Sequence, residues 1–231
     1  MAVSVKYHPI GHMDYLKAWK YQEELHAEMS KTKLSGNDKG KGQLNHLILC
    51  EHPHVYTLGK SGKVNNLLIT NEFLKKIEAS FYNTDRGGDI TYHGPGQIVG
   101  YPIFDLDSFQ LSVKKYVFML EEAIIKTLND YNIKGTRLEN ATGVWLLPEN
   151  GKDTRKICAI GVKVSRGITM HGFALNVNTN LNYFNYIHPC GFVDKGVTSL
   201  NQELGSELVI EQVQEKLLLN LSSIFNFKLK D

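Results

Sequence analysis

Three cysteines and nine histidines are the side chains of this 231-residue sequence best suited to nucleophilic or proton-transfer chemistry. Their surroundings separate them. Cys50 in HLILCEH and Cys158 in KICAIGV sit inside apolar, strand-like runs, where a thiol reads as a small buried hydrophobe. Cys190 instead lies between Pro189 and Gly191 in YIHPCGFVDKGVTSL, a turn context that leaves a thiol accessible. A nucleophile also needs a cation, a histidine or a helix N-terminus to favour the thiolate. The turn alone does not decide between a catalytic and a structural cysteine. Among the histidines, His93 stands in RGGDITYHGPGQIVGYPI (86–103), which holds five glycines and two prolines. Gly94, Pro95 and Gly96 predict a fixed, exposed turn around it. His171, just before Gly172, and His188, two residues from Cys190, are the other candidates.

Several chemistries are excluded. Cys50, His52 and His54 would share one face of a strand, but neither CEHPH nor HPC has zinc-site spacing, so no metal is expected. The glycine-rich stretch lacks G-x-x-x-x-G-K-[ST] and G-x-G-x-x-G, and no cofactor is expected from motif. Gly161 and Gly172 mark bulges or close approaches of backbone. A net charge of +2 without an arginine-rich run argues against a nucleic-acid binder. No apolar run is long enough for a bilayer, and the N-terminus has no signal-like core. Three cysteines without framework spacing fit a reducing cytoplasm. With 42% hydrophobic and 22% charged residues, the expectation is a soluble cytoplasmic protein with no membrane partner, folded as a single domain over residues 1–231.

The elements that must position these residues follow from periodicity. Apolar residues at helical spacing predict helices over 14–29, 113–131 and 208–226, with a shorter one over 71–79. Strands are predicted at 46–52, 54–59, 97–104, 143–148, 157–164 and 168–177, the last two joined by SRG as a hairpin. Strands that follow one another without helices between them imply an α+β fold with a mixed, largely antiparallel sheet. A polar loop is predicted over 30–43. Between Lys31 and Lys63, six lysines face only Asp38 and Glu51, a positive segment that is either a solvated face or a docking surface.

Three blocks in order, RGGDITYHGPGQIVGYPIFDL (86–106), RKICAIGVKVSRGITMHGFALNV (155–177) and PCGFVDKGVTSL (189–200), resemble the lipoyl(octanoyl) transferases. The resemblance implies the fold of the biotin protein ligase and lipoate–protein ligase catalytic domain. It implies Cys190 as the nucleophile that forms an acyl-thioester, and Lys156 as the cation that lowers its pKa. Arg86, Gly87, Gly88, Asp89, Ile90, Thr91, Tyr92 and His93 would line the acyl pocket. Ala159, Ile160 and Gly161 would join them, with Gly172, Phe173 and Ala174. Glycine would let backbone approach the acyl chain, and free N–H groups of the turn would stabilise an oxyanion. The implied partners are octanoyl-acyl carrier protein as donor, and as acceptors the lipoyl domains of 2-oxoacid dehydrogenase complexes and the glycine cleavage H protein. The implied reaction needs no cofactor. An ATP-dependent lipoate ligase of the same fold and a non-catalytic acyl-binding module are the alternatives.

Overall fold

The computed structural model describes residues 3–35, 44–149, 151–188 and 195–230. The chain begins with β1 (Val3–His12), α1 (Tyr15–Leu34), β2 (Asn45–Glu51) and β3 (Val55–Leu58). It continues through α2 (Asn71–Lys76), β4 (Ser80–Asn83), β5 (Ile90–His93), β6 (Gln97–Ile103) and α3 (Val113–Asn129). After β7 (Thr136–Leu138), β8 (Ala141–Leu146), β9 (Arg155–Ser165) and β10 (Ile168–Asn176) come β11 (Gly196–Val197) and α4 (Leu200–Leu204). Then α5 (Ile210–Phe225) and β12 (Phe227–Lys230) complete the described chain.

Caps and apolar spacing set the helices. The Asp14 side chain accepts the Lys17 N–H at 3.1 Å and opens α1, which buries Tyr15, Ala18, Gln22, Leu25 and Met29. α1 runs on through Leu34, so the first part of the expected 30–43 loop is helical. Lys33 is tied down there, its Nζ 2.6 Å from both the Asp105 and Asp107 carboxylates. Ser112 opens α3 by accepting from the Lys115 N–H at 3.2 Å. Asn226, at a left-handed φ of 51°, ends α5 and turns the chain directly into β12.

The large sheet has the order β12-β1-β2-β6-β10-β9-β8-β7, with β11 paired to β9. β12, β1 and β2 pair parallel, as do β11 and β9; its other neighbours are antiparallel. Both faces are covered, which explains the unbroken apolar run in β2. Leu47 and Leu49 enter the layer beneath α3 and α5, whereas Ile48 and Cys50 enter the layer beneath α1. A second sheet, β4-β3-β5, packs Tyr56, Leu58, Ile90 and Tyr92 against Leu74 of α2.

Two local features on β9 matter for function. The SRG link is a two-residue turn with Arg166 at φ 55° and Gly167 at φ 77°, the backbone of a type I′ hairpin. It fixes Ala159 opposite Ala174 and Gly161 opposite Gly172. On the other edge of β9, Val144 pairs with Cys158 but Trp145 pairs with Lys156, so Ile157 is an extra residue. This is a β-bulge, which re-aims the side chains before it. Ile157 and Cys158 therefore both enter the core.

The β6–β10 pair is as close as backbones allow. A Cβ on Gly172 would stand 2.1 Å from the Gly100 carbonyl oxygen and 2.8 Å from Pro102. Neither neighbour is a flexible side-chain end, so the strain falls on the ladder. Gly172→Ala should destabilise the fold by ~1–3 kcal/mol, as overpacking does. A urea titration of both proteins checks this, and an unchanged midpoint would show that the two strands are free to separate.

Candidate active site

A cavity of about 370 Å³ is lined by residues of both sheets, within the ~300–1,000 Å³ range of small-molecule sites. Its wall brings together Arg86, Gly88, Asp89, Ile90, Thr91 and His93 with Ala159, Ile160 and Gly161 of β9 and Gly172, Phe173 and Ala174 of β10. Lys156 joins them. Without the bulge at Ile157, alternation along β9 would put Lys156 and Ala159 on opposite faces. With it, both line the cavity, and Lys156 Nζ lies 4.5 Å from the centre of the Trp145 ring. Cys190 lies outside the described residues, but both flanks of its segment reach the cavity wall, through Phe184 on one side and Lys195, Gly196 and Val197 on the other.

Two expected lining residues stand off. Tyr92 alternates to the far side of β5, where its hydroxyl meets His54 Nδ1 at 2.7 Å and its ring stacks on Tyr183. Gly87 is absent from the wall, and its N–H donates to the Val162 carbonyl at 2.9 Å. That N–H is therefore committed to the fold and is not a free oxyanion donor. The close approach of backbone expected at Gly161 is found. A Cβ on Gly161 would sit 2.7 Å from the Gly87 carbonyl oxygen, so here backbone approaches backbone.

His93 departs from its expected exposed turn. It ends β5 and is buried, stacked on Tyr15 at 5.9 Å. Burial pulls its pKa down to about 3, with His52 and the Arg86 guanidinium adding to the shift. Its Nδ1 lies 2.8 Å from Gln97 Oε1 and its Nε2 3.5 Å from Thr57 Oγ1. Arg86 is buried too and donates from Nε and Nη2 to the Thr57 hydroxyl and from Nη2 to the Thr57 carbonyl, at 3.2, 2.9 and 2.6 Å. Beyond His93, Gln97 Nε2 donates to Asn176 Oδ1 at 2.8 Å, and Asn176 Nδ2 to the Thr198 carbonyl at 3.0 Å. Asp89 accepts both Asn66 Nδ2 contacts and the Ile90 N–H.

His171 is unusual in another way. It holds a left-handed φ of 56°, rare for a side chain of its size, and its Nε2 lies 2.8 Å from Asp85 Oδ1. Lys163 donates to the other Asp85 oxygen at 2.5 Å. The hydrogen bond from His171, joined by that from Lys163, holds the Asp85 carboxyl well below its usual range. His188 is exposed, and its backbone N–H donates to the Asn66 carbonyl at 2.8 Å.

The remaining cysteines behave as core residues. Cys50 and Cys158 are free and fully buried, and burial pushes both thiols up. Cys50 does approach His52, at 3.6 Å, yet His52 is occupied by the Met13 carbonyl and the Tyr101 hydroxyl, each at 2.7 Å. No cluster of three metal-ligating side chains occurs among the described residues. Nor is any described helix long and apolar enough to cross a membrane. Sequence reasoning missed Tyr15, Trp145 and Asn176 on the cavity wall. Gln97 closes the RGGDITYHGPGQ block, and its position there was the one available signal.

The lipoyl protein ligase A/B catalytic domain family matches residues 14–222. The chain belongs to this family. An octanoyltransferase of Bacteroides thetaiotaomicron is 53% identical to it, covering 93% of this chain and 92% of the relative. One of Christiangramia forsetii is 51% identical across 100% and 99% of the two chains. Among solved structures, a lipoate-protein ligase A bound with ATP superposes with a TM-score of 0.68 at 14% identity, covering 100% of this chain and 88% of that one. The biotin protein ligase of Aquifex aeolicus with biotin and ATP gives 0.53 at 12% identity over 96% and 70%. These two likenesses establish the fold expected from the three sequence blocks.

In this lipoyl ligase-type domain the buried histidines make stability depend on pH. A histidine in an unfolded chain titrates near ~6.5, whereas His93 and His52 are held at about 3 and about 4. Both folded values are lowered, so below ~6.5 the unfolded state binds the extra protons. The stability they contribute is complete above ~6.5 and is lost as pH falls through 4 and then 3, by up to ~1.4 kcal/mol per pH unit for each group. His93→Gln should flatten the fall of the urea midpoint between about pH 6 and 4. A slope equal to wild type would mean that His93 is not held neutral.

Proposed function

We propose that this acyltransferase moves an octanoyl group from octanoyl-acyl carrier protein to a lysine of a lipoyl domain, through a thioester on Cys190. Relatives named octanoyltransferase, about half identical over nearly the whole chain, support the reaction. The observation that carries the mechanism is the bulge that sends Lys156 into the cavity reached by both flanks of Cys190. The family match over 14–222 supports reading residues 1–231 as one catalytic domain, and we place it in the cytoplasm.

In the first half-reaction the Cys190 thiolate attacks the carbonyl carbon of the carrier thioester. The carrier's C–S bond breaks, and its sulfur leaves as a thiol with the proton of the Lys156 ammonium. In the second, the acceptor lysine amine attacks the enzyme thioester. Cys190 leaves as thiolate, and Lys156 takes the proton lost by the amine. The cycle closes with the starting charges restored. Thioester exchange is close to neutral and amide formation is downhill, so this route consumes no ATP. The acceptors we assign are the lipoyl domains of 2-oxoacid dehydrogenase complexes and the glycine cleavage H protein. An archaeal lipoate protein ligase of similar fold is described together with its E2 lipoyl domain.

Intact-mass analysis tests the reading. Mixed with octanoyl carrier protein and no acceptor, the protein should gain one octanoyl group that hydroxylamine removes. Cys190→Ser should lose both the adduct and turnover, because a serine hydroxyl is a far poorer nucleophile at neutral pH. Cys50→Ser and Cys158→Ser should keep the adduct. An adduct on Cys158, or transfer of free octanoate that starts only with ATP, would replace this mechanism with another.

The docking surface for the carrier is narrower than the sequence suggested. Lys33 is paired with Asp105 and Asp107, and Lys39 and Lys41 lie outside the described residues, whereas Lys31, Lys60 and Lys63 are exposed. Reversing the charge at Lys60 and Lys63 should raise KM for octanoyl carrier protein, less so at high salt. KM for a small octanoyl thioester should stay unchanged. Equal loss with both donors would remove these lysines from docking.

A further inference from the structure

Lys156 has a neighbour whose side chain goes the other way. Arg155 is buried, and its guanidinium makes a two-pronged contact with Glu203 of α4, Nε to Oε1 at 2.7 Å and Nη2 to Oε2 at 2.8 Å. Its Nη1 donates to the Leu147 and Asp153 carbonyls at 3.1 and 3.2 Å. Glu203 accepts more than this pair. Thr198 Oγ1 donates to its Oε1 at 2.5 Å and Lys152 Nζ to its Oε2 at 3.1 Å. The Thr198 N–H in turn donates to the Lys156 carbonyl at 2.9 Å, and β11 pairs Gly196 with Arg155 and Val197 with Lys156. One carboxylate thus grips β9 at Arg155 and, through Thr198, the segment that leads away from Cys190.

We propose that Glu203 is a positioning residue that, through Arg155 and Thr198, sets the placement of Lys156 against the described chain that follows Cys190. The inference rests on the roles given above to Lys156 and Cys190. The geometry supports it because Lys156 and Thr198 are joined main chain to main chain, while Arg155 and the Thr198 hydroxyl meet on a single carboxylate. A planar, forked contact of this kind fixes orientation as well as distance. Glu203 is absent from the described cavity wall, so the role given to it acts through other residues.

The sign of one measurement separates positioning from bare electrostatics. The charged groups meeting the Glu203 carboxylate are Arg155 and Lys152. Lys195 is a further cation on the cavity wall. If Glu203 acted only through its charge, removing it would favour a thiolate and lower the pH midpoint for alkylation of Cys190. Loss of positioning does the reverse, because Lys156 no longer stands where it stabilises the thiolate.

The experiment follows iodoacetamide alkylation of Cys190 against pH, in a background where Cys50 and Cys158 are serine. Glu203→Gln should raise the midpoint and lower kcat with a small octanoyl thioester about tenfold or more, leaving KM within about twofold, the pattern of lost transition-state rather than ground-state interaction. Thr198→Val, which removes the hydroxyl but keeps the main-chain link, should do the same to a smaller extent and serves if Glu203→Gln folds poorly. In a Lys156→Ala background, Glu203→Gln should move the midpoint no further. An unchanged or lowered midpoint in both single variants overturns the proposal, as does a full additional shift without Lys156. If Lys156→Ala alone leaves the midpoint where it was, the role given to Lys156 falls, and this inference with it. A rise with Lys156→Ala but none with Glu203→Gln or Thr198→Val sinks only the present inference.

Discussion

A single run of hydrogen bonds with one direction holds the two sheets and the chain beyond Cys190 in register. Gln97 Nε2 donates to Asn176 Oδ1 and to the Tyr92 carbonyl, so Gln97 Oε1 must accept. His93 Nδ1 therefore carries the proton. Because burial keeps His93 neutral, its Nε2 has none and accepts from the Thr57 hydroxyl. That hydroxyl is left to accept from Arg86. Further along, Asn176 donates to the Thr198 carbonyl, and the Thr198 hydroxyl donates to Glu203. Every donor points from the Arg86 cation toward the Glu203 carboxylate. The run crosses from β3 through β5, β6 and β10 to Thr198, two residues before α4, and ends on Glu203 within that helix. Buried polar groups in such a run are costly singly and stable together, since losing one partner orphans the next.

This arrangement explains what the sequence could and could not disclose. The β9–β10 hairpin was legible because Arg166 and Gly167 form a two-residue turn whose chemistry is local. So were the long helices, whose apolar stripes and capping side chains lie within a few turns of each other. β5 was not, because four residues between glycines have no periodicity to read, and they become a strand only by pairing with β3. That pairing is also what buries His93, whose flanking Gly94, Pro95 and Gly96 had pointed to an exposed turn. The bulge at Ile157 left no local mark either. Its consequence, Lys156 and Ala159 on one face, contradicts simple alternation and depends on the register of β8.

Glycine usage carries the same lesson. The composition of 86–103 asks what comes close to that backbone, and the structure answers with side chains at some glycines and other backbone at the rest. Gly100 lies under the ring of Phe173, and the Gly100 and Gly87 carbonyls stand where Cβ atoms on Gly172 and Gly161 would go. The close approach is therefore a condition for assembling the cavity wall before any acyl chain enters. Gly161 and Gly172 also face the cavity.

The electrostatics of the cavity follow from which groups are allowed to carry charge. Arg86, Lys156 and Lys195 stand on its wall. His93 and His171 stand there too, but burial lowers the pKa of both. Of the nearby carboxylates, Asp85 meets His171 and Lys163, and Asp89, itself on the wall, accepts from Asn66 and the Ile90 N–H. In this partly desolvated space charge–charge interactions act more strongly than in water. In the mechanism proposed above, an anion that develops there, a thiolate or a tetrahedral oxyanion, would be stabilised by groups already in place, without reorganisation at the moment of reaction. A protonated His93 would repel the Arg86 guanidinium, and it would turn its Nε2 from acceptor to donor against Thr57, breaking the run at its centre. The neutrality of one buried histidine is thus a requirement of the whole run.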